Sequence, residues 1–359
     1  MIGRLLRACL IQILLLASSL ACADTPRAWA YQAWWMPDSW RTAPIDRLER
    51  LLFFELKVSP SGAIGQRHGW PEQWQELRAT LRQKNVPLDL TLTLFGVKAF
   101  EALFSSPRAT QRLLEEAYDL ATHVDVAGLQ LDVEVYDPVR PATLAAYRRF
   151  LQALAHKLHH LQPQRQLSVF FPLGGASTLY DAPSLAVTDR VVMQAYDAHW
   201  TGSGQAGPVA PLTGQEAVTW EKGLAAARAL GVPPHRVAMS FPLYGYEWRV
   251  EGPTLRAATK RQGTTTTFAP VPAAHLPDIR VNIQDRVLQH GAQHDKDSGS
   301  SYYQFRNAEG HYVEGWFEDW WSLKRKAEFI RREGLAGMAF FILGYDSNAL
   351  VDYYLNGTP

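Results

Sequence analysis

Val126-Ala127-Gly128-Leu129-Gln130-Leu131-Asp132-Val133-Glu134 is an alternating run that ends in two acids. Read as a strand, it puts Leu129, Leu131 and Val133 on one side and Gln130, Asp132 and Glu134 on the other, because successive side chains point to opposite faces. The neighbouring apolar stretches, residues 88–95 and 166–173, are separated from it by helix-like segments. Strands alternating with helices at this spacing predict a parallel sheet with both faces covered. The acids then point into a closed interior or a cleft, where an unpaired carboxylate is costly. Two such groups about 7 Å apart along one strand mark a candidate site. The plain alternative is an edge strand with its polar face in water.

Outward from this run the pattern repeats. Strands are expected at residues 30–36, 51–58, 88–95, 126–134, 166–173, 190–196, 237–243 and 337–343, with helices over 71–84, 107–123, 143–161, 215–230 and 320–333. Eight strands joined by helical crossovers predict an α/β protein with a (β/α)8 TIM barrel. One connection is out of scale: a structureless loop of roughly 70 residues does not belong inside a compact domain. A small α+β insertion on the rim, over about 249–315, with a hairpin turning at Asn307-Ala308-Glu309-Gly310, is therefore expected between strands seven and eight.

The bulk composition excludes some partners. A net charge of +1 over 359 residues gives no basic excess for nucleic acid or an anionic membrane surface. Twelve tryptophans supply either core or flat surfaces for sugar rings, and Trp34, Trp35, Trp200, Trp248 and Trp316 are the candidates for the latter. Arg4 and Arg7 precede an apolar segment at 10–16 and the small residues Ala21-Cys22-Ala23, which predicts an export leader over 1–23 and a mature chain over 24–359. Cys9 and Cys22 would leave with it, so no disulfide is expected. A periplasmic or secreted monomer follows, unless Cys22 is lipidated and anchors the chain to a membrane.

In such a barrel the working groups sit at the carboxyl ends of the strands. Glu134 lies there on strand four, Tyr196-Asp197 on strand six, and Tyr244 with Trp248 on strand seven. His156, His159 and His160 share helical spacing, but on an outer helix they read as a surface cluster, so neither a metal nor another cofactor is expected. No phosphate loop or G-x-S-x-G elbow occurs.

With these residues placed, the chain resembles glycoside hydrolase family eighteen, the chitinase-like glycosidases, and within it the bacterial spore-cortex and cell-wall hydrolases. The family's D-G-x-D-x-D-x-E strand reads here Ala127-Gly128-Leu129-Gln130-Leu131-Asp132-Val133-Glu134; its M-x-Y-D reads Gln194-Ala195-Tyr196-Asp197; its P-x-Y-G reads Pro242-Leu243-Tyr244-Gly245. The resemblance implies cleavage of β-linked N-acetylglucosamine polymers by substrate assistance, an exception to the two-carboxylate scheme. It assigns Glu134 as general acid and base, Asp132 as holder of the acetamido N–H, Tyr196 as donor to the acetamido oxygen, and Asp197 as a sugar-binding or supporting group. Gln130, Gln194, Tyr244, Trp248, Trp34 and Phe341 are the further candidate substrate contacts. Ala127 and Gln130 replace two signature aspartates, Gln194 a methionine, and Phe341 the usual tryptophan of the sugar floor. The alternative reading is a glycan-binding protein on the same barrel with little or no turnover. Burial of two acids so close together predicts a raised pKa for Glu134.

Overall fold

The first strand hydrogen-bonds to both the second and the last, and this closes the sheet. In the computed structural model, which describes residues 27–271 and 279–357, the barrel comprises β1 (Ala28–Ala33), β2 (Arg50–Val58), β4 (Leu88–Phe95), β5 (Gly128–Glu134), β6 (Gln166–Pro172), β7 (Arg190–Gln194), β8 (Val237–Pro242) and β15 (Gly337–Phe341), all parallel. The short β3 (Ile64–Gln66) adds antiparallel to β2. Such strands are buried on both faces, which is why β4 and β5 are covered along almost their whole length and only Phe95 and Glu134 emerge, at the mouth.

Gly128 opens β5 for a steric reason. A Cβ there would sit 2.6 Å from Asp89 Oδ1 and 2.7 Å from the Gln166 carbonyl oxygen. Asp89 is held in that position by a buried ion pair with Arg50.

The helix at Trp320–Glu333 has the expected bounds; Asp319 and Ser322 form a capping box and Gly334, at φ 65°, closes it in the left-handed region. Elsewhere tertiary context moved the boundaries. The first strand ends at Ala33, so Trp34, Trp35 and Met36 lie in the loop beyond it. An additional helix, Val97–Phe104, starts after Gly96 and buries Phe100, Leu103 and Phe104. The helix expected from residue 215 starts at Trp220, where Thr219 caps it by accepting from the Lys222 N–H.

Between β8 and β15 lies a second sheet: β9 (Tyr244–Val250), β10 (Thr264–Thr267), β11 (Ile279–Asn282), β12 (Gln293–Asp295), β13 (Ser300–Arg306) and β14 (Tyr312–Phe317), in the order β11-β10-β9-β14-β13-β12. A helix at Ile283–His290 packs with it. The sheet thus begins one residue after β8, at Tyr244, rather than near 249. The hairpin turns where expected: the Asn307 N–H bonds to the His311 carbonyl at 2.9 Å, and Gly310 takes φ 80°.

The insertion is tied to the barrel by a fully buried ion pair. Lys326 Nζ, on the Trp320–Glu333 helix, donates to Glu318 Oε2 at 2.6 Å and to the Gly299 carbonyl at 3.2 Å, while Ser300 Oγ donates to Glu318 Oε1 at 2.8 Å. Burial pushes the Glu318 carboxyl up and the Lys326 amine down, so each charge depends on the other. Removing one partner leaves an uncompensated buried charge, whereas replacing both with apolar groups does not. Lys326→Met is expected to lower unfolding stability by about 3 kcal/mol in chemical denaturation, and the double variant K326M/E318L by clearly less; equal losses would contradict this account.

Candidate active site

Strand β5 sets the site. Its two-residue period brings Asp132 and Glu134 to the same inward face, Asp132 buried and Glu134 half-buried above it. Asp132 Oδ1 has no hydrogen-bond partner among the described residues. Burial raises the Asp132 pKa well above the ordinary carboxylate range, and the negative charges of Glu134 and Glu55 raise it further. Glu134 is also raised, by burial, although two donors oppose the shift: the Tyr136 hydroxyl at 2.6 Å and Gln194 Nε2 at 3.5 Å, both to Oε2. Two adjacent carboxyls, each reluctant to ionise, favour holding one proton between them.

Opposite them, the chain leaves β7 and turns at Asp197, which has φ 59°, a left-handed conformation that Asp tolerates better than most residues. This turn brings Tyr196 and Asp197 into the pocket. Asp197 Oδ1 accepts from the Tyr244 hydroxyl at 2.7 Å and the Tyr246 hydroxyl at 2.9 Å. Burial nonetheless pushes its carboxyl up to about 6; the two phenols restrain the rise, and Glu134 adds to it. Phe341, at the end of β15, lies nearly parallel to Tyr196 at 5.8 Å and edge-on to Phe54 at 5.2 Å.

Asp132, Glu134, Gln194, Tyr196, Asp197, Tyr244 and Phe341 therefore line one pocket of about 150 Å³, together with Tyr31, Phe54 and Phe170. Six other candidates do not. Trp248 is buried, its Nε1 donating to the Trp200 carbonyl at 3.2 Å, so it presents no face to a ligand. Trp316 is buried likewise, donating to Glu314 at 2.6 Å. Gln130 lies one step deeper on β5, where it accepts from Thr91 Oγ1 at 3.3 Å. Trp34 stacks on His68 at 4.1 Å and, with Trp35, lines a neighbouring cavity of about 600 Å³. Phe54 connects the two, with its ring 5.8 Å from Trp35. Trp200 is 53% exposed beside the glycine-rich loop and is absent from the lining of both cavities.

Sequence reasoning missed Glu55, Tyr136 and Tyr246. Glu55 is buried on β2, where it accepts from Thr93 Oγ1 at 2.6 Å and lies 3.5 Å from Lys57 Nζ. A lone acid inside the apolar run Leu51-Leu52-Phe53-Phe54-Glu55-Leu56 carried the same signal as Asp132. Tyr136 stands beyond a strand end and carried none. Among the described residues no group of three or more His, Cys, Asp or Glu could hold a metal ion. Instead His159 pairs with Asp189 at 3.0 Å, and His156 and His160 pack ring to ring at 4.1 Å.

Known proteins share this arrangement of strands. The family model described as glycosyl hydrolases family 18 matches residues 37–346. The chain is 24% identical over 285 residues to a cortical fragment-lytic enzyme of Bacillus subtilis, covering 75% of this chain and 59% of that protein. It is 23% identical over 290 residues to a class V chitinase of Arabidopsis thaliana, covering 75% and 73% respectively. The chain spans 61% of the length of another Bacillus subtilis relative, so these relatives extend well beyond the matched part. A GH18 chitinase from Cycas revoluta, solved in complex with allosamidin, superposes with a TM-score of 0.76 at 19% identity, covering 92% of this chain and 99% of that one. Likeness at that identity concerns the fold.

The raised Asp197 carboxyl has a measurable sign. A carboxyl that binds its proton more tightly when folded adds stability below its unfolded pKa, near about 4, and this is lost as pH rises through about 6. Asp197→Asn keeps an acceptor for Tyr244 and Tyr246 and cannot ionise. Its melting temperature relative to the parent protein is expected to rise between pH 4 and pH 7; a pH-independent difference would show that Asp197 titrates normally.

Proposed function

Because the chain belongs to glycosyl hydrolases family 18, we propose that it hydrolyses β-linked N-acetylglucosamine-containing glycans, chitin-like or peptidoglycan, by a retaining, substrate-assisted mechanism. The observation that carries this reading is the convergence of Asp132, Glu134 and Tyr196 on one small pocket at the barrel mouth.

In the first step Glu134 gives its proton to the glycosidic oxygen as the bond to the anomeric carbon breaks. The carbonyl oxygen of the substrate's own acetamido group attacks that carbon and forms an oxazolinium ring. Asp132 accepts the acetamido N–H and offsets the positive charge, and the Tyr196 hydroxyl donates to the acetamido oxygen. In the second step Glu134, now a carboxylate, takes a proton from water as the water opens the ring, which regenerates the acid. The raised pKa of both β5 carboxyls fits this cycle, since it favours a proton on the pair near neutral pH.

Phe341, its ring inclined 27° to that of Tyr196, supplies an apolar floor smaller than an indole. The cavity beside Trp34 and Trp35 adjoins the pocket through Phe54 and offers room for further sugar units. The proposal includes export through the leader, which lies outside the described residues, because these glycans are found outside the cytoplasm. It also takes the protein to act as a monomer.

The test is release of reducing ends from N-acetylglucosamine oligomers and from purified cell wall. Glu134→Gln is expected to reduce turnover by about 10³-fold with oligomer binding retained. Binding by the parent protein without any release would instead support the glycan-binding reading.

A further inference from the structure

The chain has a second phenol at the acid, and it comes from outside the motifs. Tyr136 follows β5 by two residues, and its hydroxyl lies 2.6 Å from Glu134 Oε2 and 3.1 Å from Gln194 Oε1. A phenol has one hydrogen to give, and the nearer carboxylate takes it. Gln194 Nε2 approaches the same Oε2 at 3.5 Å. Both donors therefore converge on one oxygen of the acid.

We propose that Tyr136 is a positioning residue: it reserves Glu134 Oε2 as an acceptor and so directs the transferable proton to Oε1. This rests on the glycosidase reading of Glu134. A carboxylic acid carries its proton on one oxygen only, and an oxygen already receiving an O–H and an N–H is the poor place for it. Oε1 then presents the proton to the glycosidic oxygen in the first step and receives one from water in the second, without a rotation of the carboxyl between them. The same hydrogen bond stabilises the ionised form, which opposes the rise that burial causes and keeps the group able to act as a base.

Other ionisable groups around Glu134 cannot replace this contact. Asp132 lies below it on β5, and Tyr196 and Asp197 stand beyond β7, with Asp197 held by Tyr244 and Tyr246. Tyr180, behind β6, donates to the Phe170 carbonyl at 3.2 Å. On β4, Thr93 and Phe95 lie in register with Asp132 and Glu134, and neither titrates. Tyr136 is 55% exposed, so removal of its hydroxyl disturbs little packing.

The experiment is Tyr136→Phe, read in two ways. Carbon NMR of protein labelled at the glutamate carboxyls, with the Glu134 signal assigned by its loss in E134Q, follows the titration directly. The Glu134 midpoint is expected to move up by about one pH unit, the size of one hydrogen bond to a charged group. In parallel the basic limb of kcat/KM moves up, and kcat falls about tenfold with little change in KM. A Glu134 titration and a basic limb that both stay in place would overturn the proposal. A shifted titration in a protein whose parent form releases no sugar would leave Tyr136 in this role toward the carboxyl and refute the glycosidase reading.

Discussion

Two carboxyl groups on the same face of one buried strand cannot both shed their protons cheaply, and the rest of the pocket is arranged around that constraint. Asp132 is enclosed and, among the described residues, has no partner for Oδ1, so its charge has little to stabilise it. Glu134, two residues nearer the mouth, has donors at one oxygen and partial exposure. The strand period alone thus separates a deep, enclosed carboxyl from a shallow one that meets solvent at the mouth. Among the described residues that line the pocket there are phenols and no cations: Tyr196 and Tyr244 line it, and Tyr136 donates to Glu134 without the full positive charge that would ionise both acids.

The insertion belongs to this arrangement and is more than a rim ornament. Its first strand, β9, carries Tyr244 and Tyr246, the two phenols that hold Asp197. The Phe268 and Ala269 N–H groups both bond to the Tyr345 carbonyl, just past β15, while Tyr345 receives the Trp35 indole N–H at 3.0 Å. Together with the Lys326–Glu318 pair, these contacts fix the insertion to the barrel on the side where the pocket opens. The pocket wall is thus assembled from residues of two sheets.

How much of this could be read from the sequence follows from what a side-chain pattern encodes. The eight barrel strands were legible because parallel strands buried on both faces are apolar throughout, and turn residues bound them. Asp132 and Glu134 stood out because an acid in such a strand is anomalous. Trp248 was misread for the complementary reason: a tryptophan on a strand has the same appearance whether it fills a core or faces a sugar, and only the cover provided by the Trp200 loop decides. Tyr136 was invisible because it acts from a loop, where no period ties a side chain to a direction. The start of the second sheet was placed too late because β8 and β9 are separated by Leu243 alone, too short a break to separate two strands in a residue pattern.

Gln130 shows how local loss and distant supply can balance. In the motif that this strand resembles, the position below Asp132 carries another acid; here it is a neutral amide, buried and bonded to Thr91. Besides Glu134, a second carboxylate acts on Asp132 from within the barrel: Glu55, two strands away on β2, which accepts from Thr93, in register with Asp132. Lys57, on the same strand as Glu55 and partly exposed, offsets part of that charge. The negative field at Asp132 therefore comes from two strands, from Glu134 on β5 and from Glu55 on β2. Field strength depends on distance and burial and not on which strand supplies it, so Glu55 adds to the field of Glu134 at the deep carboxyl even though residue 130 is uncharged.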